Sequence, residues 1–377
     1  MDSSEPKKIL ILHASAGHGH EKAARALEQA CLDVLPQAQV RLYDVLTLTE
    51  GIFGRGYKKT YLFLIRYLPW LWGFAYYLTD FPWVYFFLRP LRRWVNHWAA
   101  RRLEERILEE RPDVVIATHF LPVEVVGFLK KKKLCHARLI TVITDYLAHS
   151  FWLDKEVTCY AVGSEETRED LKKRSVLLEK ILVSGIPVEK KFAQAVPRAL
   201  ARAKLSLDAE GFTVLVTSGG AGVGTMELLA KNLLASRRPI QLLAVCGTNQ
   251  KLAEHLQLFA EKKNRLHVFG FVDNIHELMA ASDLVIGKGG GLTVTESLCV
   301  GKPMILFGSV PGQETRNAHS MARQGAARIA NSSNDVLRFT TEMMDSPELL
   351  KEYANTALRL GHSQAAVDIV HKLIKNP

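Results

Sequence analysis

The chain has 377 residues, 48% of them hydrophobic and 23% charged, which is long for one core and too apolar for disorder, so two domains are expected. Its net charge of +10 calls for an anionic partner, and nucleic acid, acidic lipid and nucleotide all qualify. Five scattered cysteines (Cys31, Cys135, Cys159, Cys246, Cys299) show no Cys-x-x-Cys and no metal-ligand spacing, which argues against a disulfide framework or zinc site; the polar start MDSSEPKK, followed only by a short ILIL run, offers no secretory signal. Reduced, mostly buried thiols and a chain made in the cytoplasm are the expectation.

The first strand candidate, KKILILHAS, runs straight into GHGHEKAARAL, residues 17–27, where a glycine turn meets alanines and a leucine at helical density. Gly17 and Gly19 allow backbone angles closed to other residues and a close approach to a ligand. A dinucleotide fingerprint would need a third glycine near the position of Lys22, so that match is poor. His18 and His20 lack a third ligand at useful spacing for a metal. A helix-entry histidine with no chemistry is one reading of His20; proton transfer at neutral pH is the favoured one, since an imidazole at such a turn titrates near 6.5.

After QVRLYDV comes a segment of different character. Residues 51–98 hold 17 of the 32 aromatic residues, and seven Arg or Lys against the single acid Asp80. Its longest uncharged run, Tyr67 to Thr79, has 13 residues and contains Pro69 and Gly73, against about 20 needed to cross a bilayer. Stacking on single-stranded nucleic acid would suit aromatic and basic side chains, and ordinary core helices with solvated arginines are the plain alternative. Interfacial attachment is the preferred reading, with Trp70, Trp72 and Trp83 at headgroup level and Arg92 and Arg93 on anionic phosphates, so an anionic membrane surface and no nucleic acid is expected as partner.

DVVIATH, RLITVITD and CYAVGS follow as strand candidates, and a second series runs through FTVLVTSGG, IQLLAVCG, RLHVFGFV, DLVIGKGG and PMILFGS. These are bare apolar runs, as strands covered on both faces should be. The pattern predicts two α/β, doubly wound, Rossmann-like domains facing a cleft, residues 1–195 and 196–377, with a linker near 187–205 and the last helix free to return to the first domain. TSGGAGVGT places Ser218 and Gly219 at a turn suited to phosphate oxygens. The stronger run is residues 270–318. There Gly289, Gly290 and Gly291 precede a helix carrying Leu292 and Thr293, whose free amides could receive a diphosphate with Lys288 nearby. Glu296 is placed to accept from ribose hydroxyls, and Gln313 and Glu314 of PGQE supply groups that can count sugar hydroxyls.

In their order, GHGH, TD, GKGGGLTVTES and PGQE make the chain resemble, over nearly its full length, the diacylglycerol glycosyltransferases, which include bacterial glucosyl enzymes and plant monogalactosyldiacylglycerol synthases. It is more distantly similar to the lipid-linked N-acetylglucosaminyltransferase of peptidoglycan synthesis. The resemblance implies a GT-B fold and an inverting transfer of glucose or galactose from a UDP-hexose to diacylglycerol or another lipid alcohol. It implies no resident metal or other cofactor, in keeping with the lack of an Asp-x-Asp motif, and a peripheral place on the cytoplasmic face of the membrane. His20 matches the family's base and Asp145 a family aspartate near the acceptor. Gly19 of the loop is expected to bind the UDP-sugar, Val272 presents its backbone to uracil, Glu296 holds ribose, Gly290 to Thr293 the diphosphate, and Gln313 and Glu314 the hexose. Gly289 stands where many relatives have proline, and His18 where they have Asn or Gly. A UDP-sugar epimerase, an N-acetylglucosaminyltransferase, an NAD-dependent dehydrogenase and a non-enzymatic UDP-sugar sensor remain as alternatives at this point.

Overall fold

The computed structural model describes residues 6–15, 17–49, 56, 59–60, 63–217, 226–236, 238–261 and 264–375, with the side chain of residue 97 left out. The chain divides into two compact units, Met1–Lys190 with His362–Pro377, and Lys191–Gly361. Each is built on one six-stranded sheet in which all pairings are parallel.

In the first unit the strands β1 (Lys8–His13), β2 (Gln39–Asp44), β3 (Val114–Ala117), β4 (Arg138–Val142), β5 (Cys159–Val162) and β6 (Ile181–Val183) lie in the order β2-β1-β3-β4-β5-β6. Alternate residues of the apolar strands feed opposite faces: Leu10, Leu12, Val115 and Leu139 belong to one core, Ile9, Ile11, Ile116 and Ile140 to the other. Burial on both sides is why these strands read as unbroken apolar runs. Helix α1 (His18–Val34) can lie close on the sheet because the residues it buries are small, Ala23, Ala24, Ala26 and Ala30 beside Leu27. Returning to this unit at the end of the chain, Ala366, Ile369 and Val370 join the same core as Leu27.

The aromatic segment forms α2 (Pro69–Asp80) and α3 (Pro82–Ala99), each opened by a proline whose missing amide hydrogen costs nothing at that position. Helices α4 (Arg101–Glu110), α5 (Phe120–Lys131) and α6 (Glu165–Lys173) complete this unit's frame. Asp80, at the end of α2, is gripped by Arg174 Nη1 and Nη2 at 2.9 and 3.0 Å and by the Ser150 amide at 2.8 Å. Burial alone would raise its pKa, but Arg174, the charge of His149 and the Ser150 amide together hold the carboxyl well below the usual range.

The second unit begins with α7 (Arg198–Lys204) and carries β7 (Phe212–Thr217), α8 (Met226–Leu234), β8 (Ile240–Val245), α9 (Gln250–Ala260), β9 (Leu266–Phe269), α10 (Ile275–Ala281) and β10 (Leu284–Gly287). Then follow α11 (Gly291–Cys299), β11 (Met304–Phe307), α12 (Gln313–Arg323), β12 (Ala327–Ala330), α13 (Ser333–Asp345) and α14 (Pro347–Leu360), in a sheet ordered β12-β11-β10-β7-β8-β9. Residues 187–205 are more structured than their charged composition suggests. Arg202 on α7 is fully buried, donating to the Ala281 carbonyl at 2.9 Å and to Asp283 at 2.8 Å.

Candidate functional site

In open parallel sheets, ligands bind beyond the carboxyl ends of the strands where the strand order reverses. In the first unit that point lies between β1 and β3, and the segments that leave it carry His20, in the first turn of α1, and Thr118. The turn after β1 is held by Asp44 at the end of β2, which accepts from the Ser15 amide at 3.1 Å. His20 Nδ1 lies 2.7 Å from the Thr118 carbonyl oxygen and 2.9 Å from Thr144 Oγ1, while the Thr118 hydroxyl donates back to the His20 carbonyl at 2.9 Å. A carbonyl only accepts, so Nδ1 bears the hydrogen and Nε2 keeps its lone pair. Gly19 precedes it in the first turn of α1, and His18 at the start of that helix is exposed. The histidine geometry therefore leaves Nε2 of His20 able to accept a proton.

Burial pulls His20 below its ordinary value of 6.5, opposed by the charge of Asp145 and the Thr118 carbonyl. Asp145 is half-buried just beyond β4 and acts on His20 through its charge. His119, edge-on to His20 with ring centroids 4.8 Å apart, accepts from the Leu121 amide through Nδ1 as the cap of α5. Burial first, then the charges of His20 and His13, hold it well below 6.5. A chain of rings continues outward from there. His119 meets Phe120 at 4.1 Å, Phe120 meets Phe151 at 5.4 Å, Phe151 meets His149 at 4.4 Å, and His149 meets Tyr76 of α2 at 4.5 Å. Thr118 and Thr144 were not singled out from the sequence. Their signal was their place one residue after β3 and two residues after β4, in ATH and VITD.

In the second unit the order reverses between β7 and β10. Ser218 and Gly219, after β7, lie outside the described residues. After β10 come Lys288, half-buried, and Gly290, the cap of α11, which offers no side-chain cap bond. Val294 makes the first turn's bond to the Gly290 carbonyl, so the amides of Gly291, Leu292 and Thr293 precede the intrahelical ladder and point out of the helix end. Glu296, one turn on, is 4% exposed. Val272 is half-buried in the turn between β9 and α10.

Gly289 explains its own departure from proline. Its amide donates to Ser309 Oγ at 2.9 Å, its carbonyl accepts from Asn317 Nδ2 at 3.0 Å, and an added Cβ would stand 2.1 Å from the Glu314 carbonyl oxygen. The start of α12 thus packs directly on the loop before α11. Glu314 also uses Oε2 to accept from the Val310 amide at 2.7 Å, stapling its own turn, and Gln313 is half-buried beside it.

On α2 and α3 the aromatic rings stand out to solvent: Trp83 is 78% exposed, Phe87 73%, and Trp70 and Trp94 each 67%. The core reading fails for them, and Trp72 is only half-buried. Arg92 and Arg93, expected on headgroup phosphates, require correction. Arg92 pairs with Glu124 of α5 at 3.2 Å and lies over the Phe151 ring at 4.1 Å; Arg93 reaches Asp154 at 2.8 Å. Two nearly buried carboxylates draw these guanidinium groups inward, so they fasten α3 to the unit. Among the described residues no helix is long and apolar enough to cross a membrane, and no group of three metal-ligating side chains occurs.

Two Rossmann-like units of this topology, each with its own reversal of strand order, make up the GT-B fold. MurG of Acinetobacter baumannii superposes with a TM-score of 0.66 at 18% identity, over 98% of this chain and all of that one. Anabaena Alr3699/HepE in complex with UDP-glucose gives 0.57 at 15% identity, over 98% of this chain and 99% of that one. Residues 20–188 match the monogalactosyldiacylglycerol (MGDG) synthase model, and residues 213–366 the C-terminal domain of glycosyltransferase family 28. A processive diacylglycerol beta-glucosyltransferase of Bacillus cereus is 30% identical over 354 residues, 91% of this chain and 87% of the relative. Its namesake in Bacillus cytotoxicus is 28% identical, over 98% of this chain and 93% of the relative. The chain belongs to the diacylglycerol glycosyltransferase family.

Proposed function

We propose that the protein transfers a hexose, glucose before galactose, from its UDP derivative to the free hydroxyl of diacylglycerol, with inversion at the anomeric carbon. The observation that carries this reading is the His20 ring, whose Nδ1 is tied to the Thr118 carbonyl and whose Nε2 is thereby left basic. Burial keeps the ring neutral at pH 7, the state a base must start from. Nε2 takes the proton of the acceptor hydroxyl as its oxygen forms the bond to the anomeric carbon. The bond from that carbon to the diphosphate breaks, its electron pair leaving with UDP. The growing charge is met by the amides at the start of α11 and by Lys288. Val272 takes uracil through its backbone, Glu296 the ribose hydroxyls, and Gln313 with Glu314 the hexose. The reaction as written uses no resident metal.

The exposed rings of α2 and α3 support a peripheral seat on lipid, with Trp70, Trp83 and Trp94 at the headgroup level. With Arg92 and Arg93 committed to carboxylates, the pull toward an anionic surface falls to other cations of the segment, such as Arg66 and Lys59. The membrane facing the cytoplasm is the proposed location, since UDP-sugars are made there.

The test offers UDP-glucose, UDP-galactose and UDP-N-acetylglucosamine to the purified protein with diacylglycerol in mixed vesicles, and identifies products by mass spectrometry. Hexosyl-diacylglycerol with equimolar UDP is expected. A new UDP-sugar formed without lipid, or binding with no UDP released, would replace transfer by epimerisation or sensing.

A further inference from the structure

We infer that Thr144 is a positioning residue for proton transfer: its hydroxyl oxygen and the Thr118 carbonyl share the Nδ1 hydrogen of His20, which keeps the lone pair of the ring on Nε2. This rests on the reading of His20 as the base and says how the fold makes it one.

The argument is one of hydrogen count. Nδ1 lies 2.7 Å from the Thr118 oxygen and 2.9 Å from Thr144 Oγ1. If the Thr144 hydroxyl donated to Nδ1, that nitrogen would carry a lone pair, and it would face the carbonyl's lone pairs across 2.7 Å with no hydrogen between them. The arrangement is attractive only when Nδ1 is the donor and both oxygens accept, a three-centre bond. A ring turned over by 180° would put a carbon at this place and lose both contacts. The two oxygens therefore select the tautomer and the ring orientation together, the task a carboxylate performs for the histidine of a hydrolytic triad.

Thr144 is well placed for this. It is 5% exposed, and it follows β4 at the same end of the sheet as Thr118 after β3, so two adjacent strands present the two acceptors. Thr118 holds the other side of the residue too, its hydroxyl donating to the His20 carbonyl at 2.9 Å. When Nε2 takes up the acceptor's proton, the hydrogen on Nδ1 stays where it is. Its bonds to the two oxygens strengthen as the ring becomes charged. Asp145, next in sequence, contributes its charge, while His13 and His119 face the ring from β1 and the start of α5 as neutral partners in the resting state. Thr144 supplies a neutral oxygen, which orders the ring without making it cationic beforehand.

The test pairs Thr144→Ala with Thr144→Ser in the full chain, using UDP-hexose and diacylglycerol vesicles. Thr144→Ala is expected to lower kcat about 10- to 100-fold, the scale of one hydrogen bond to a charged group. The KM for UDP-hexose should stay within twofold, and the acid limb of the rate profile should move to lower pH, because the charged ring has lost an acceptor. Thr144→Ser should restore both. Nitrogen-15 spectra of the ring in the wild-type protein should show Nδ1 protonated and Nε2 bare at pH 7.5. A bare Nδ1 in the wild type overturns the inference, as does an Ala variant whose kcat and acid limb match the wild type, or a well-folded Ser variant that restores neither. If the wild type forms no glycolipid from any UDP-hexose, the functional reading fails instead, and the ring spectra still decide the hydrogen-bond assignment.

Discussion

Replacing His20 by asparagine separates the chemistry of the ring from its structural bonds. The asparagine amide reaches about as far as Nδ1, so it can still donate to the Thr118 carbonyl, which now receives the ring at 2.7 Å. What disappears is Nε2. The variant should therefore fold and bind UDP as the wild type does, because the residues proposed to hold uracil, ribose and diphosphate lie in the other unit. Turnover should fall by roughly 10²- to 10⁴-fold, the usual share of a general base, or about 3–5 kcal/mol of activation free energy. The pH profile adds a second readout. Burial holds the wild-type ring below 6.5, so its rate should be level above about pH 7 and decline in acid as Nε2 becomes protonated; the variant's residual rate should lack that limb. Continuous measurement of UDP release between pH 5 and 8, with diacylglycerol vesicles in excess, reads both. A His20→Asn enzyme within threefold of wild-type turnover that keeps the acid limb, beside an inactive His18→Ala enzyme, would refute the reasoning.

Changing Trp70, Trp83 and Trp94 together to serine should leave the melting temperature within a few degrees, since all three are exposed, while abolishing flotation with vesicles. Arg93→Ala should instead cost about 3 kcal/mol in a denaturant titration, because it leaves the buried Asp154 carboxylate without one of its cations; an unchanged midpoint would contradict the inward placement. Gly289→Ala puts a Cβ 2.1 Å from the Glu314 carbonyl oxygen, so a loss of about 1–3 kcal/mol is expected from overpacking, with weaker UDP binding by calorimetry. His13, His20 and His119 are all held below 6.5 by burial. In acid the unfolded chain takes up protons that the fold refuses, so stability is full above about pH 6.5 and drains away below it. His119→Asn, which keeps an acceptor for the Leu121 amide, should flatten that decline in melting scans from pH 7 to 5. A chelator should leave turnover within twofold; a collapse restored by magnesium or manganese would add a metal to the mechanism.

The lesson about legibility lies in which interactions are local. β1, β3, β7 and β8 were readable as buried strands because a parallel sheet covered on both faces favours apolar residues on both sides, and that preference is written in largely consecutive letters. The turn carrying His20 and the one carrying Gly290 were readable for a similar reason: a strand, a glycine turn and a helix form one continuous segment. Composition likewise marked residues 51–98 as unusual.

The rest depended on partners far away in the chain. Nothing near Arg92 announces that Glu124 will draw it inward, and nothing near Trp83 says that no core will cover it, since a helix's pattern shows that faces differ but not what lies against each. Arg202 looked like linker charge until Asp283 and the Ala281 carbonyl enclosed it. Gly289 read as no more than a departure from the proline of many relatives, yet α12 approaches so closely there that a side chain has no room. The sequence by itself determined two wound sheets and the histidine at the first turn. Only the tertiary structure decided which nitrogen of that histidine is basic, because the two oxygens on Nδ1 come from the segments that follow strands β3 and β4, roughly a hundred residues and more away along the chain, and hydrogen bonds between such distant segments leave no periodic trace.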